Sequence, residues 1–368
     1  MTICCDSCLR HSHLIAHLSP RIAGILDRPG RRVSGVLRLS EDELIERVAT
    51  QRPDGARRFV EQFDFEGAAR QLEEREVLGI CQHSEDYPAG LLALDDPPRV
   101  LYCTGTLERL RELLAEPAAT IVGGRRASPY AEEVARELGR GLGVAGLTVV
   151  SGLALGIDAA AHRGAVDAGG RAIAVLACGP DVVYPQRHYA LYRDIRRKGV
   201  VMSEMPPGTR ALRWGFPARN RIMAALGEIT VVVEARDPSG SLITASFAGE
   251  LGRSVGAVPG RVTGSHAAGS NRLLRDGAAV IRGPEDVLDE IFGVGNRPGG
   301  PPPRAPADVL EPGLREVLAR VEAGDSVSQI AAATGQPVAY VRAALGQLER
   351  EGYIVARSLG WYERAAGG

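Results

Sequence analysis

The sequence predicts an α/β protein: a Rossmann-like, doubly wound and mainly parallel sheet, preceded by an N-terminal all-helical domain and followed by a C-terminal winged-helix domain. Three observations carry that prediction. Apolar runs at 119–122, 147–150, 171–177, 200–202, 229–233, 254–258 and 278–281 alternate with helix-length stretches, as strands buried on both faces do. Gly-rich turns follow the first two runs, at Val122-Gly-Gly-Arg-Arg126 and Ser151-Gly-Leu-Ala-Leu-Gly-Ile-Asp158. The end of the chain reads as helix, helix, Gly-containing turn, longer helix and two short strands.

Residues 1–76 lack strand alternation and form the predicted helical domain. Leu14, Ile15 and Leu18, then Leu37, Leu39, Leu44, Ile45 and Val48, recur at helical spacing. Ser40-Glu-Asp-Glu43 has the Ser-x-x-Glu pattern of a capping box, and a second helical stretch runs over 55–74. The register changes at Val77-Leu-Gly-Ile-Cys81, with a further strand at Val100-Leu-Tyr-Cys103, so the sheet domain is set at 77–292. Residues 293–307, rich in Pro and Gly, read as an extended linker.

Over 308–364, Leu314, Val317, Leu318 and Val321 mark one helix, 327–334 a second, Gly335 a turn, and 338–351 a third. Residues 352–357 with Trp361 and Tyr362 close the unit as a wing, a helix-turn-helix pattern. Gln336, Tyr340, Arg342, Gln347 and Arg350 occupy the recognition positions. Two arginines are a modest basic content for a groove reader, so duplex DNA and a protein partner both remain open.

With 368 residues, 45% of them hydrophobic and 24% charged, the chain has the composition of a multidomain globular protein. No apolar run approaches the roughly 20 residues that span a bilayer, so no membrane partner is expected. The first residues lack a basic region followed by an apolar one, and a cytoplasmic, reduced setting is expected. A net charge of −1 excludes a histone-like coating of nucleic acid through bulk charge. Lys198 is the only lysine among 44 basic residues, so phosphate contacts fall mostly to guanidinium groups.

Glycines let backbone N–H groups approach a bound group, and a following helix N-terminus favours negative charge. The turns containing Gly123, Gly152 and Gly156 therefore predict a phosphate pocket, whether for a nucleotide, a cofactor or a nucleic-acid backbone. Phe216-Pro-Ala-Arg-Asn-Arg221 adds a ring able to stack on a base, flanked by Arg219, Asn220 and Arg221. In Ser239-Gly-Ser-Leu-Ile-Thr-Ala245, Ser241 and Thr244 either cap a helix or bind an anion. Val258-Pro-Gly260 and Gly269-Ser-Asn-Arg-Leu273 repeat the arrangement.

Cys5-Asp-Ser-Cys8, with Cys4, His11, His13 and His17 nearby, is half of a zinc site. Its second half would consist only of loosely spaced histidines, so ordinary thiols and no metal are expected. Cys81, Cys103 and Cys178 lie in apolar runs and read as core residues.

These motifs occur in order with Gly179-Pro-Asp-Val-Val-Tyr-Pro185, Ser203-Glu204, Glu234 and Pro259-Gly260. Over about 77–292 the set resembles the DNA-processing protein A family (DprA/Smf), in its three-domain form. The resemblance implies a cytoplasmic protein that binds single-stranded DNA, protects incoming strands and helps load the RecA recombinase in natural transformation. It also implies a homodimer formed through the Rossmann-like domain, with no cofactor and no catalytic residue. Carried over by motif, Arg125 grips phosphate, and Phe216, Arg219 and Arg221 line the strand-binding groove. The DNA-contacting set expected is Gly123, Arg125, Ser151, Gly152, Gly156, Phe216, Arg219, Asn220, Arg221, Ser241, Thr244 and Asn271. Two positions depart from the family pattern: Gly124 stands where Ser is usual, and Trp214 where some members carry a basic residue.

The alternative is a nucleotide-binding or nucleotide-hydrolysing enzyme of a related Rossmann-like family. No Gly-x-Gly-x-x-Gly follows any strand, and Ser-Gly-Ser-Leu-Ile-Thr replaces the Pro-Gly-Gly-x-Gly-Thr loop of the phosphoribohydrolases. Asp158, Glu204 and Glu234 are imaginable acid–base groups, yet each has a plainer role at a helix start or strand end.

Overall fold

The computed structural model describes residues 4–26, 34–51, 53–294, 310–350, 353–356 and 361–364. It divides into two compact units, residues 1–296 and 297–368. Most of the predicted linker, from residue 295 on, lies outside the described residues.

The first unit begins with helices α1 (Asp6–Leu26), α2 (Ser34–Leu37), α3 (Glu41–Val48), α4 (Pro53–Glu61) and α5 (Phe65–Glu74). The capping box predicted at Ser40 forms: Glu43 N–H donates to Ser40 Oγ and Ser40 N–H to the Glu43 carboxylate. The single helical stretch expected over 55–74 is two helices. Asp64 breaks it by accepting the Gly67 N–H at 2.8 Å, starting a new helix where the old one would have continued.

Strands and helices then alternate: β1 (Val77–Cys81), β2 (Val100–Thr104), α6 (Leu107–Leu114), β3 (Ala118–Val122), α7 (Pro129–Val144), β4 (Thr148–Ser151), α8 (Ile157–Asp167) and β5 (Ala172–Val175). There follow α9 (Tyr189–Lys198), β6 (Val200–Ser203), α10 (Gly215–Leu226), β7 (Ile229–Val232), α11 (Gly240–Glu250), β8 (Ser254–Ala257), α12 (Ala268–Arg275), β9 (Ala279–Val280) and α13 (Pro284–Phe292). Among the described residues the sheet runs β1-β2-β6-β5-β4-β3-β7-β8-β9, parallel from β6 to β9 with an antiparallel β1-β2 edge. Each of the seven sequence runs from 119 onward became a strand, and the fold is the Rossmann-like doubly wound sheet expected.

Two apolar cores cover its two faces. Leu138, Leu142, Ile157 and Ile195 pack on one, and Leu91, Leu110, Ile222 and Met223 on the other. Successive strands from β3 step one way to β6, then β7 returns to the other side of β3. The switch point therefore lies between β3 and β7, where the crevice of such a sheet opens.

The helical segment does not stand apart from the sheet. Leu14, Ile15, Leu18 and Ile22 of α1 share a core with Met205, Trp214 and Ala218. Buried Tyr102 donates to Ser12 Oγ at 3.0 Å, joining β2 to α1.

The second unit holds α14 (Pro312–Glu322), α15 (Val327–Thr334), α16 (Val338–Arg350) and an antiparallel ribbon of β10 (Ile354–Ala356) and β11 (Tyr362–Arg364). Leu314, Val317, Leu318, Ile330, Val341, Leu345 and Leu348 form its core. Gly335 ends α15 in the left-handed conformation, φ 67°, as a glycine between two helices is suited to do. Among the described residues no helix is long and apolar enough to cross a membrane.

Candidate functional site

Three concavities lie end to end at the switch point. The middle one, about 370 Å³, is bounded by the turn after β3, the start of α10 and the N-terminus of α11. It shares Arg125 and Ser239 with a neighbour of about 250 Å³ lined also by Arg126, Arg236 and His266. On the other side it shares Pro217, Ser239 and Ile243 with one of about 750 Å³, whose walls include Arg213 and Trp214. Shared walls make them one groove.

The middle of the groove holds a ring and a cation in contact. The Arg125 guanidinium lies over the Phe216 ring, 4.7 Å from its centroid. Tyr184 adds a second ring 5.6 Å from Phe216, tilted by 53° and 45% exposed. Arg125 and Arg126 are exposed, and among the described residues neither is paired with a carboxylate. Arg236 Nη2 is 2.8 Å from His266 Nε2. Tyr184 is a candidate beyond the residues the motifs single out; its signal in the sequence is an aromatic beside Pro185 in a strand-end loop.

Arg219 and Arg221 both border the groove, Arg219 at the middle concavity and Arg221 at the one of about 750 Å³, but their guanidinium groups are buried and held by the protein itself. The Arg219 guanidinium turns inward, donating to the carbonyls of Gly152 and Val175 at the ends of β4 and β5. Asp158 lies 3.7 Å from it, both side chains being almost fully buried. Burial pushes the Asp158 carboxyl up from its usual range and the Arg219 guanidinium down. Arg221 is 1% exposed and sits between Glu204, 2.8 Å from Nη2, and Asp96, 3.1 Å from Nε. Burial opposes its charge, but the two carboxylates outweigh that and raise its pKa. The spacing Arg-Asn-Arg put both guanidiniums beside Phe216 in sequence; on α10 they point into the protein.

The glycines, too, serve packing first. A Cβ on Gly152 would fall 2.0 Å from the Arg219 guanidinium, and one on Gly123 2.5 Å from Ile157. Gly156 takes φ +74°, where a Cβ would meet the Gly124 carbonyl at 2.4 Å. Two of the turn amides are also engaged, Gly124 N–H on the Glu234 carbonyl at 2.7 Å and Ile157 N–H on Gly124 at 3.4 Å. The two Gly-rich turns thus interlock with each other and with the loop after β7.

Of the remaining predicted residues, fully buried Ser151 donates to the Ile121 carbonyl at 2.6 Å and faces the sheet. Asn271 pins the 259–260 turn through two 3.1 Å bonds to Gly260. Asn220 donates to the Gly240 carbonyl at 3.1 Å, holding α10 to the start of α11. Ser241 and Thr244 line the middle concavity. Ser241 Oγ is 2.9 Å from Ser239 Oγ, whereas Thr244 Oγ1 is buried without a partner. The three imagined acid–base groups are all engaged: Asp158 with Arg219, Glu204 with Arg221, and Glu234 accepting from Ser128 N–H and Oγ at 2.8 Å.

A Rossmann-like sheet with an open, arginine-edged and ring-lined groove at its switch point defines a binding protein of the doubly wound class. More particularly, the chain belongs to the DNA recombination-mediator protein A family, the DprA/Smf proteins of DNA processing, whose profile matches residues 79–292. It is 42% identical over 273 residues to the putative DNA processing protein DprA of Mycobacterium tuberculosis, covering 73% of this chain and 70% of that protein. The X-ray structure of DprA from Streptococcus pneumoniae aligns with a TM-score of 0.61 at 32% identity, over 77% of this chain and 95% of the other. DNA processing protein A from Helicobacter pylori, a structure described for its single-stranded DNA binding mode, aligns with a TM-score of 0.52 at 30% identity, over 57% of this chain and 96% of the other.

Proposed function

We propose that this chain binds single-stranded DNA along the groove, protects incoming strands in the cytoplasm and delivers them to the RecA recombinase. The observation that carries the reading is the contact of Arg125 with Phe216. A guanidinium and a ring at one point are what a strand needs, one for the backbone and one for a base. Arg126, Arg236 and Arg213 extend the positive edge in both directions, and Tyr184 offers a second face. The single-stranded DNA binding described for the Helicobacter pylori relative supports the same choice of ligand.

Family membership supports the further steps, a homodimer through the Rossmann-like unit and hand-over to RecA. The α15–Gly335–α16 arrangement with its ribbon is read as a winged helix, with exposed Gln336, Tyr340 and Arg342 on its outer face. Its partner, duplex DNA or protein, is decided by comparing the full chain with one ending at Phe292. Titration of a labelled oligonucleotide at several salt concentrations tests the main reading: affinity is expected to fall steeply with salt. Equal affinity for the oligonucleotide and a nucleoside monophosphate would overturn it.

A further inference from the structure

The two cysteines at the start of α1 do acquire a second pair of partners, from a place the sequence did not suggest. His13 packs on Phe63 with ring centroids 5.4 Å apart, His17 stacks on Phe59 at 4.6 Å, and His11 is buried. None of the three completes the half-site. Instead, Cys81 at the end of β1 and His83 just beyond it meet Cys5 and Cys8. The ligand atoms of these four residues all lie within 4.8 Å of one another.

We propose that Cys5, Cys8, Cys81 and His83 form a structural zinc site joining the helical segment to the edge of the sheet. The distances suit the metal. Cys5 Sγ and Cys8 Sγ stand 3.4 and 3.5 Å from His83 Nδ1. Tetrahedral zinc with ordinary Zn–S and Zn–N bonds places sulfur and nitrogen about 3.6 Å apart and two sulfurs about 3.8 Å apart.

The local geometry supplies the ligands in pairs. Cys5-x-x-Cys8 enters the first turn of a helix, which brings positions three apart to one side. Cys81-x-His83 lies in a turn closed by Ser84 N–H donating to the Cys81 carbonyl at 2.9 Å. Gln82 Nε2 stands 3.4 Å from His83 Nε2; with Nδ1 on the metal, His83 Nε2 would carry the proton, and the Gln82 amide would turn its Oε1 to accept that N–H.

Three thiolates and an imidazole are a zinc set, softer than calcium or magnesium accept. His83 lies 75 and 78 residues beyond Cys8 and Cys5, so the metal would close a loop containing the whole helical segment. Around them Leu9, Leu72, Val77 and Val100 already bring α1, α5 and β1 together, which fixes the ligands before a metal arrives. Half-buried Cys4 lies beside the group and is left outside the set.

The test is metal analysis of the full-length protein purified under reductant without chelator. About one zinc per chain is expected, lost in Cys81→Ser and in His83→Ala and kept in Cys4→Ser. Should those variants fold poorly, two measurements on the unaltered chain remain. Cobalt added after zinc removal is expected to give the intense visible bands of tetrahedral thiolate coordination, and a chelator is expected to lower the melting temperature until zinc is restored. Trace zinc with no cobalt bands overturns the proposal. So does full metal content in Cys81→Ser, or a Cys5–Cys8 disulfide in the protein as isolated.

Discussion

Arg125 and Phe216 come from different turns of the fold, one after β3 and one at the start of α10, and meet with the guanidinium 4.7 Å from the ring centroid. Each can be removed without opening the core. Arg125→Ala is expected to weaken single-strand binding and to lower the salt slope by about one counterion. Phe216→Ala is expected to cost about 1–3 kcal/mol of affinity with the slope unchanged. Because the two share one contact, the double variant should lose less than the sum, by roughly 0.5–1 kcal/mol. Fluorescence anisotropy over a salt series reads all three, and strictly additive losses would show the residues acting at separate points.

Arg221 should behave as the opposite kind of arginine. Removing it leaves Asp96 and Glu204 buried and unpaired, so Arg221→Ala is expected to lower stability by about 3–5 kcal/mol in urea denaturation. Oligonucleotide affinity per folded molecule should hardly change. A stable variant with a large affinity loss would show Arg221 contacting the strand instead.

Two glycines, one buried behind the groove and one in its wall, make a matched comparison. Gly152→Ala drives a methyl into the Arg219 guanidinium, displacing the clamp between β4 and β5. A loss of more than about 2 kcal/mol is expected, as for other buried networks that are broken. Gly240→Ala, at the first residue of α11, meets nothing within 4 Å and should be neutral or slightly stabilising. Thermal melts of the two variants give the ranking directly.

Acid should weaken the fold through its buried histidines. Burial pushes His162 down to about 3 from an ordinary 6.5, outweighing an opposing hydrogen bond with the Ser151 backbone. Burial likewise brings His11 and His13 to about 4. The unfolded chain therefore binds more protons than the folded one below the ordinary value, and stability must fall as pH drops through that window. Each histidine contributes a slope of up to about 1.4 kcal/mol per pH unit. Urea midpoints at about pH 7.5 and about pH 5.5 should differ, and His162→Gln should narrow the difference. An unchanged gap would mean that His162 binds its proton equally well in the folded and unfolded chains.

The sheet was legible because buried parallel strands announce themselves as continuous apolar runs, and every run from 119 onward was one. Arg125 and Phe216 were legible as well, since a turn glycine and a proline keep neighbouring side chains near the surface. The direction of Arg219 and Arg221 was not. A helix turns consecutive residues through about 100° each, and what receives each one depends on Asp158, Glu204 and Asp96, which lie far off in sequence. The same limit hid His83: its partners stand at the other end of the helical segment, and the packing of α1 and α5 on β1 brings them within reach.

Trp214 has one side in the core made by α1 and another on the wall of the concavity of about 750 Å³. The helical segment is thus part of the groove's foundation, and a change in either is felt by the other through Trp214. A lineage that exchanged its first helices for foreign ones would also have to rewrite Met205, Trp214 and Ala218. A protein lacking the segment altogether must build that wall from something else.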